Sequence, residues 1–137
     1  MESLPYTIRE INRLTDSAFV YSSWLRSGLN AKPPALARST YFQEQHRVIT
    51  ALFDAAAGIR LAAVANDDAD QVFGWLFGGP GRLDYVYVKP IYRKLGLATA
   101  LLARLGPVAQ YTHLGNLAPL GAAYNPYLLF NLPSAAS

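Results

Sequence analysis

The sequence predicts an α+β domain in which a mixed, mostly antiparallel central sheet is flanked by helices in three layers (α/β/α), and three observations carry this. Two stretches with helical apolar spacing occupy the first 57 residues, and three β-type runs separated by short turns follow between 60 and 88. The chain then passes through a basic turn into a further helix. At 137 residues it fits one domain, 1–137, with a core expected at about 6–130. Hydrophobic residues make up 52% and charged ones 15%, the balance of a globular chain and not of a disordered one.

Tyr6 to Ile11 alternates as a short strand, Tyr6, Ile8 and Glu10 against Thr7, Arg9 and Ile11. The next segment is helical: Thr15 or Asp16 can cap it, Ala18, Tyr21 and Leu25 share one face with Trp24 beside them, and Gly28 is placed to end it. Asn30 to Ser39 carries Pro33-Pro34 without periodicity, which predicts a loop. A second helix is expected from about Ser39 to Ala57 on the spacing of Tyr41, Gln45, Val48, Leu52 and Ala56, closed by Gly58. Glu44 and His46, two apart on it, point in different directions and form no metal pair, which makes His46 a surface histidine.

Arg60 to Ala65 and Gln71 to Phe77 read as a hairpin around the polar turn 66–70. Asp68-x-Asp70 lacks the remaining oxygen ligands of a calcium loop, so the turn is solvated and no metal is expected. Gly78-Gly79-Pro80-Gly81 leads into a third strand, Leu83 to Val88, which Pro90 ends because it has no amide to give to a ladder. A helix then begins near Gly96, with Ala98, Leu101, Leu102 and Leu105 on one face. Gly106-Pro107 breaks it, and Ala109 to Leu114 forms a short strand. A brief helical segment follows from Asn116 with Leu117, Leu120 and Tyr124; Tyr124 to Phe130 could pair as a last strand, and Pro133 to Ser137 reads as a frayed tail.

No apolar run approaches the ~20 residues of a membrane span, so no membrane partner is expected. The start, Met1-Glu2-Ser3-Leu4-Pro5, lacks the order of a signal peptide, and the absence of cysteine removes disulfides, thiolate nucleophiles and cysteine metal sites, which fits a cytoplasmic protein. The net charge is +3, and from Arg82 onward five basic residues face a single acid, Asp84. Such a patch is compatible with nucleic acid, but no long Lys/Arg run or recognition motif accompanies it, and a ligand carrying several phosphates explains it with less assumption.

The basic turn is the candidate site. A loop that enters a helix N-terminus leaves amides unpaired beside the positive end of the helix dipole, which suits a phosphate. Gly96 allows close approach to the backbone, the small Ala98 keeps the mouth open, and Arg93 and Lys94 add positive charge.

The order Arg93-x-x-Gly96-x-Ala98, five residues after the strand end at Val88, resembles the coenzyme A signature of the GNAT acetyltransferase superfamily, Q/R-x-x-G-x-G/A. The strand before it and the amphipathic helix after it belong to the same resemblance, as does the order of strand, two helices and meander. The chain is shorter than typical GNAT domains at its C-terminus. The Val-Tyr-Val-Lys strand, the Thr-His pair and the terminal Tyr-Asn-Pro-Tyr also look like small acetyltransferase-like proteins of tailed bacteriophages, which would place the protein in the host cytoplasm.

The resemblance implies acetyl-CoA as cosubstrate without a metal, an amine acceptor (small molecule or protein), and direct attack of the amine on the thioester; it also allows a homodimer. It implies that Leu83–Val88 parts from Ala109–Leu114. Val86 then offers its amide to the oxyanion, Tyr87 and Val88 line the pantetheine arm, and Arg93, Lys94, Leu95, Gly96, Leu97, Ala98 and Thr99 hold the pyrophosphate, with Asn116 a further coenzyme contact. Asp84, expected to alternate onto the face of Val86 and Val88, and His113 are the candidate bases, and Tyr124 is the candidate acid. Each has a plainer reading: an ion pair with Arg82 for Asp84, a strand-end histidine for His113. Tyr21, Trp24 and Arg26 border the implied acceptor site, or pack as core and rim. Two other classes stay open, a non-catalytic binding module on the same fold and a basic nucleic-acid-binding protein.

Overall fold

A computed structural model describes residues 5–31, 38–55, 57–112 and 123–124. Strand β1 (Tyr6–Glu10) leads into helix α1 (Arg13–Ala31), followed by α2 (Arg38–Asp54). Strands β2 (Ile59–Ala65), β3 (Asp68–Gly79) and β4 (Gly81–Val88) form the meander. A 3-10 turn (Pro90–Leu95) and helix α3 (Leu97–Leu105) connect β4 to β5 (Val108–Tyr111), and the short β6 (Ala123–Tyr124) completes the sheet.

Among the described residues six strands lie in sequence order, antiparallel from β1 to β4 and parallel from β4 through β5 to β6. Parallel neighbours need a crossover, and α3 supplies it between β4 and β5. Leu97, Leu101 and Leu105 of α3 pack on Leu61, Leu76, Leu83 and Val88 on one face of the sheet. On the opposite face Val20 and Trp24 of α1 and Val48, Ile49, Leu52 and Phe53 of α2 pack on Trp75 and Phe77. The result is the three-layer, mixed, mostly antiparallel α+β arrangement the sequence predicts. No helix among the described residues is long and apolar enough to cross a membrane.

Several local expectations are corrected. Helix α1 starts at Arg13, before Thr15 and Asp16, because Asn12 caps it: its Oδ1 accepts the Leu14 amide at 3.0 Å, and its own amide donates to Asp16 Oδ2 at 2.7 Å. The helix continues past Gly28 to Ala31. Its buried positions are Asp16, Val20, Ser23 and Trp24, while Ala18 is exposed and Tyr21 and Leu25 are only partly covered. Two polar residues on the inner face disguised its direction, and each has a partner: Asp16 pairs with Arg9, and Ser23 Oγ accepts from Trp75 Nε1 at 2.8 Å.

Helix α2 stops at Asp54, short of Ala57. The first hairpin turn is tighter than expected, since β3 already begins at Asp68; likewise β3 reaches Gly79 and β4 begins at Gly81, leaving Pro80 alone between them. Tyr124, expected at the end of a helical segment and the start of a last strand, lies in a strand, β6, opposite Tyr111. The rest of that segment and the C-terminal tail fall outside the described residues.

Candidate functional site

The outer edge of β4 beside the basic turn defines the site. Among the described residues β5 pairs with β4 at Gly81↔Val108, Arg82↔Gln110 and Leu83↔Tyr111, and the Thr112 amide donates to Leu83 C=O at 3.1 Å. On its other edge β4 runs against β3, with Tyr85, Val86, Tyr87 and Val88 opposite Phe77, Leu76, Trp75 and Gly74. The Lys89 amide donates to Phe73 C=O at 2.9 Å. Antiparallel main-chain groups alternate in direction, so Tyr85 and Tyr87 address β3 while Val86 and Val88 turn theirs to the outer edge of β4. The Val88 carbonyl on that side accepts from Arg93 Nε at 3.2 Å, which draws the basic turn to the end of that edge.

The turn itself is pinned from below. Tyr92 stacks on Phe73 with ring centroids 4.0 Å apart, and its hydroxyl accepts from Gln71 Nε2 at 3.2 Å. Gly96 then adopts φ 73° and ψ 20°, the left-handed region, and a Cβ added there would meet nothing within 4 Å. Backbone conformation, not crowding, is what calls for glycine, and the space before it is open. Leu97 anchors the start of α3 in the core, fully buried, so it can offer a ligand its amide and not its side chain. No side chain caps this helix, unlike α1, and its first internal bond is Ala100 N–H to Gly96 C=O at 3.0 Å. The amides of Leu97, Ala98 and Thr99 therefore precede any intrahelical acceptor, with Gly96 and Thr99 exposed and Ala98 half-buried. Arg93 and Leu95 are exposed beside them, and Lys94 belongs to the same turn.

Asp84 does not sit where simple alternation puts it. The register jumps from Phe77↔Tyr85 to Gly78↔Leu83, so Asp84 is the extra residue of a β-bulge. Leu83 joins Val86 and Val88 in the core under α3, while Tyr85 packs with the opposite core. The carboxylate is 2% exposed and held from three sides: Arg82 Nε donates to Oδ1 at 3.0 Å, Arg82 Nη2 to Oδ2 at 3.2 Å, and Thr112 Oγ1 to Oδ1 at 2.9 Å. Thr112 was not signalled as a partner of Asp84, because a contact across 28 residues leaves no local pattern. His113 and Asn116 lie outside the described residues, and of Tyr124 only the strand position is described.

On the other side of β4 the wall is aromatic. Tyr85 stacks on Trp24 at 4.6 Å and on Trp75 at 5.4 Å, and its hydroxyl shares a hydrogen bond with Ser27 Oγ at 2.7 Å. Burial pushes the Tyr85 phenol up, and it pushes that of Tyr41 to about 12, so both stay neutral donors near neutral pH. Trp24 is wholly buried and acts as core; Arg26 is exposed, its Nε donating to Ser22 C=O at 3.2 Å; Tyr21 is half-buried under His46, rings 4.6 Å apart. Among the described residues no group of three or more His, Asp or Glu could hold a metal ion.

No family model matches the chain, and no curated protein matches it. Solved structures do. YjaB from Escherichia coli, solved in its apo form, is 20% identical over 73% of this chain and 63% of its own, with a TM-score of 0.53. The GCN5-related glucosamine N-acetyltransferase region of a fungal multi-domain GH3 β-N-acetylglucosaminidase is 16% identical over 74% of this chain and 12% of that one, with a TM-score of 0.51. The chain thus spans less than two thirds of either relative's length. With its meander, its crossover helix and a glycine-led helix N-terminus after the fourth strand, the chain has the fold of the GNAT superfamily.

Proposed function

We propose that the protein transfers an acetyl group from acetyl-CoA to an amine by direct attack. One observation carries this reading: the outer edge of β4 runs into an uncapped helix N-terminus led by a left-handed glycine, and the Arg93 side chain ties the turn between them to Val88 C=O. A long ligand with an anionic end and an amide-rich arm fits that pairing, since the helix end takes the charge and the outer edge of β4 takes the arm.

In this reading the amides of Gly96 to Thr99, with Arg93 and Lys94, hold the pyrophosphate, and Leu95 flanks it. The main-chain groups of Tyr87 and Val88 border the pantetheine arm, with Asn116 a further contact. The Val86 amide donates to the carbonyl oxygen as it gains charge; one such donor is typically worth ~2.7–4 kcal/mol in the transition state. The amine nitrogen forms a bond to the carbonyl carbon, the carbon–sulfur bond breaks, and the sulfur takes up a proton. Holding the two partners in line supplies much of the acceleration and needs no enzyme nucleophile, as suits a chain without cysteine. His113 is assigned the ammonium proton and Tyr124 its return to the thiolate. Asp84, whose carboxylate oxygens are already engaged, is assigned to holding the strand.

Binding and turnover test this separately. Acetyl-CoA or CoA should raise the melting temperature through binding to the native state, and millimolar ATP, which lacks the arm, should raise it much less. Thiol release should then follow on adding an amine from a panel. No shift with any of the three overturns the coenzyme reading. Equal shifts with ATP reduce the site to a generic phosphate site. Binding without turnover on any amine leaves the non-catalytic binding module.

A further inference from the structure

We infer that the stack of Tyr92 on Phe73 sets the position of the basic turn, which makes Phe73 and Tyr92 positioning residues for the anion that the turn and the start of α3 take up; that this anion is the coenzyme pyrophosphate rests on the function proposed above. Among the described side chains of the turn, Pro90, Ile91, Arg93 and Leu95 are exposed, Ile91 to 80%, and Tyr92 alone is half-buried. Arg93 Nε donates to Val88 C=O, but that carbonyl belongs to the same short stretch of chain and ties the turn only to its own approach. Leu97 seats the helix beyond Gly96, and the left-handed glycine lies between that helix and the turn. Tyr92 instead reaches another strand: its ring lies 4.0 Å from that of Phe73 with the planes 28° apart, and its hydroxyl accepts from Gln71 Nε2.

Strand β3 supplies that ring through a bulge of its own. β2 pairs Ala63 with Gly74 and Val64 with Val72, so Phe73 is an extra residue on β3. Trp75 and Phe77 face α1 and α2, and simple alternation would send Phe73 to the same side. It lies instead in the core under α3 with Val88 and Leu97, while Val72 packs on the opposite face with Ala62 and Val64. The bulge thus moves one ring out of the aromatic face and onto the side where the turn leaves β4. The main chain closes the same contact. The Lys89 amide donates to Phe73 C=O and the Tyr92 amide to Lys89 C=O, both at 2.9 Å, so Tyr92 arrives over the ring of the residue that holds Lys89. Gly74, next to the bulge, lets β4 come this near, since a Cβ there would meet the Tyr87 carbonyl oxygen at 2.6 Å. A turn held at one ring has its amides and Arg93 placed by that ring, and a displacement of about 1 Å takes an amide out of hydrogen-bond range of a phosphate oxygen.

Tyr92→Ala removes the ring, and Tyr92→Phe keeps it while removing only the hydroxyl. At a temperature where every variant is fully folded, calorimetric titration with CoA should show Tyr92→Ala weakened about tenfold, the equivalent of an aromatic pair at the upper end of its usual worth. Phe73→Leu, which keeps an apolar side chain and loses the ring face, should be weakened as well, and Tyr92→Phe should stay within about twofold of wild type. A purely structural ring would lower the melting temperature and leave the CoA affinity alone, so wild-type affinity in both Tyr92→Ala and Phe73→Leu overturns the inference. Phe73→Leu decides alone if Tyr92→Ala does not fold. An equal loss in Tyr92→Phe would move the anchor to the Gln71 bond and overturn the ring stack. A ligand-free readout separates the anchor from the coenzyme reading. Protection of the residue 92 amide from hydrogen exchange should fall about tenfold in Tyr92→Ala and recover in Tyr92→Phe, while the Gly106 amide at the far end of α3, bonded to Leu102 C=O, keeps its protection. Unchanged protection at residue 92 overturns the anchor even if CoA binds, whereas lost protection with no CoA binding to the wild type supports the anchor and overturns the coenzyme reading.

Discussion

Where α3 crosses the sheet the contacts are aliphatic, Leu61, Leu76, Leu83 and Val88 meeting Leu97, Leu101 and Leu105, whereas under α1 and α2 rings dominate beside Val20, Val48, Ile49 and Leu52: Trp24, Phe53, Trp75 and Phe77 with Tyr85 and Tyr87 at the margin. The aliphatic face fixes little about direction. It seats α3 by burial, and closely, since a Cβ on Gly78 would come within 2.9 Å of Leu105 Cδ1. On the aromatic face three polar tips have side-chain partners: Trp75 on Ser23, Tyr85 on Ser27, Tyr21 on Thr50. Much of the specific packing of α1 and α2 therefore sits on one side of the sheet, and the bare helix end that can take an anion sits on the other. Substitutions on the two faces should separate stability from binding.

The largest effect is expected from Trp75→Ala. Trp75 is wholly buried, contacts the rings of Trp24, Phe77, Tyr85 and Tyr87, and donates to Ser23. Truncating a buried tryptophan costs about 3–5 kcal/mol, a large part of a typical domain's stability. Urea unfolding should show a loss of that order, while the fraction still folded keeps its affinity for CoA. A loss below about 1 kcal/mol would remove the aromatic face from the account of stability.

Gly96→Glu should do the reverse. The new side chain meets no atoms, and its cost to the fold is that of a left-handed residue with a Cβ, about 1–2 kcal/mol. It would, however, fill the open space before the helix end and place a negative charge there. CoA affinity should fall about a hundredfold or more, with circular dichroism little changed. A folded variant that binds CoA normally would move the anion site elsewhere.

How far the sequence carried these conclusions follows the range of the contacts. Strand β4, the break at Pro90, the glycine at 96 and the helical period of Ala98, Leu101, Leu102 and Leu105 are local facts, so the strand, turn and helix were readable; of that face Leu101 and Leu105 are buried and Ala98 and Leu102 only partly so, while Leu97 is the third buried position. The inner face of α1 was misjudged because Asp16 and Ser23 are buried beside residues far along the chain. The bulge at Asp84 was unreadable for a related reason: an inserted residue exists only relative to the strand opposite, and alternation along β4 alone puts Asp84 on the wrong face. Sequence periodicity thus located the site and left the direction of its polar groups to cross-strand register.

The smallest expected effect depends on pH and concerns the tie between β1 and α1. Arg9 Nη1 and Nη2 donate to Asp16 at 2.7 and 3.2 Å, and the Asn12 amide adds a third bond to the same carboxylate. Burial pushes the Asp16 carboxyl up, but these bonds and the charge of Arg9 outweigh it and hold the group below the usual carboxylate range. The Arg9 guanidinium is held higher still by the same pair and stays charged throughout, so the pH dependence belongs to Asp16. The unfolded chain takes up the Asp16 proton first as pH falls. The stabilisation is therefore complete above the unfolded carboxylate value, about 4, and is lost as pH drops through the lower folded value. Asp16→Asn should cost about 1–2 kcal/mol at neutral pH, since bonds to a charged group are worth ~1.5–3 kcal/mol and Arg9 is partly open to water. The difference from wild type should hold down to about pH 5 and shrink below pH 4, as urea unfolding at a series of pH values can follow. A difference that stays constant into acid would mean that Asp16 contributes by shape alone, and the charge of the pair would then have no part in holding α1 to the edge of the sheet.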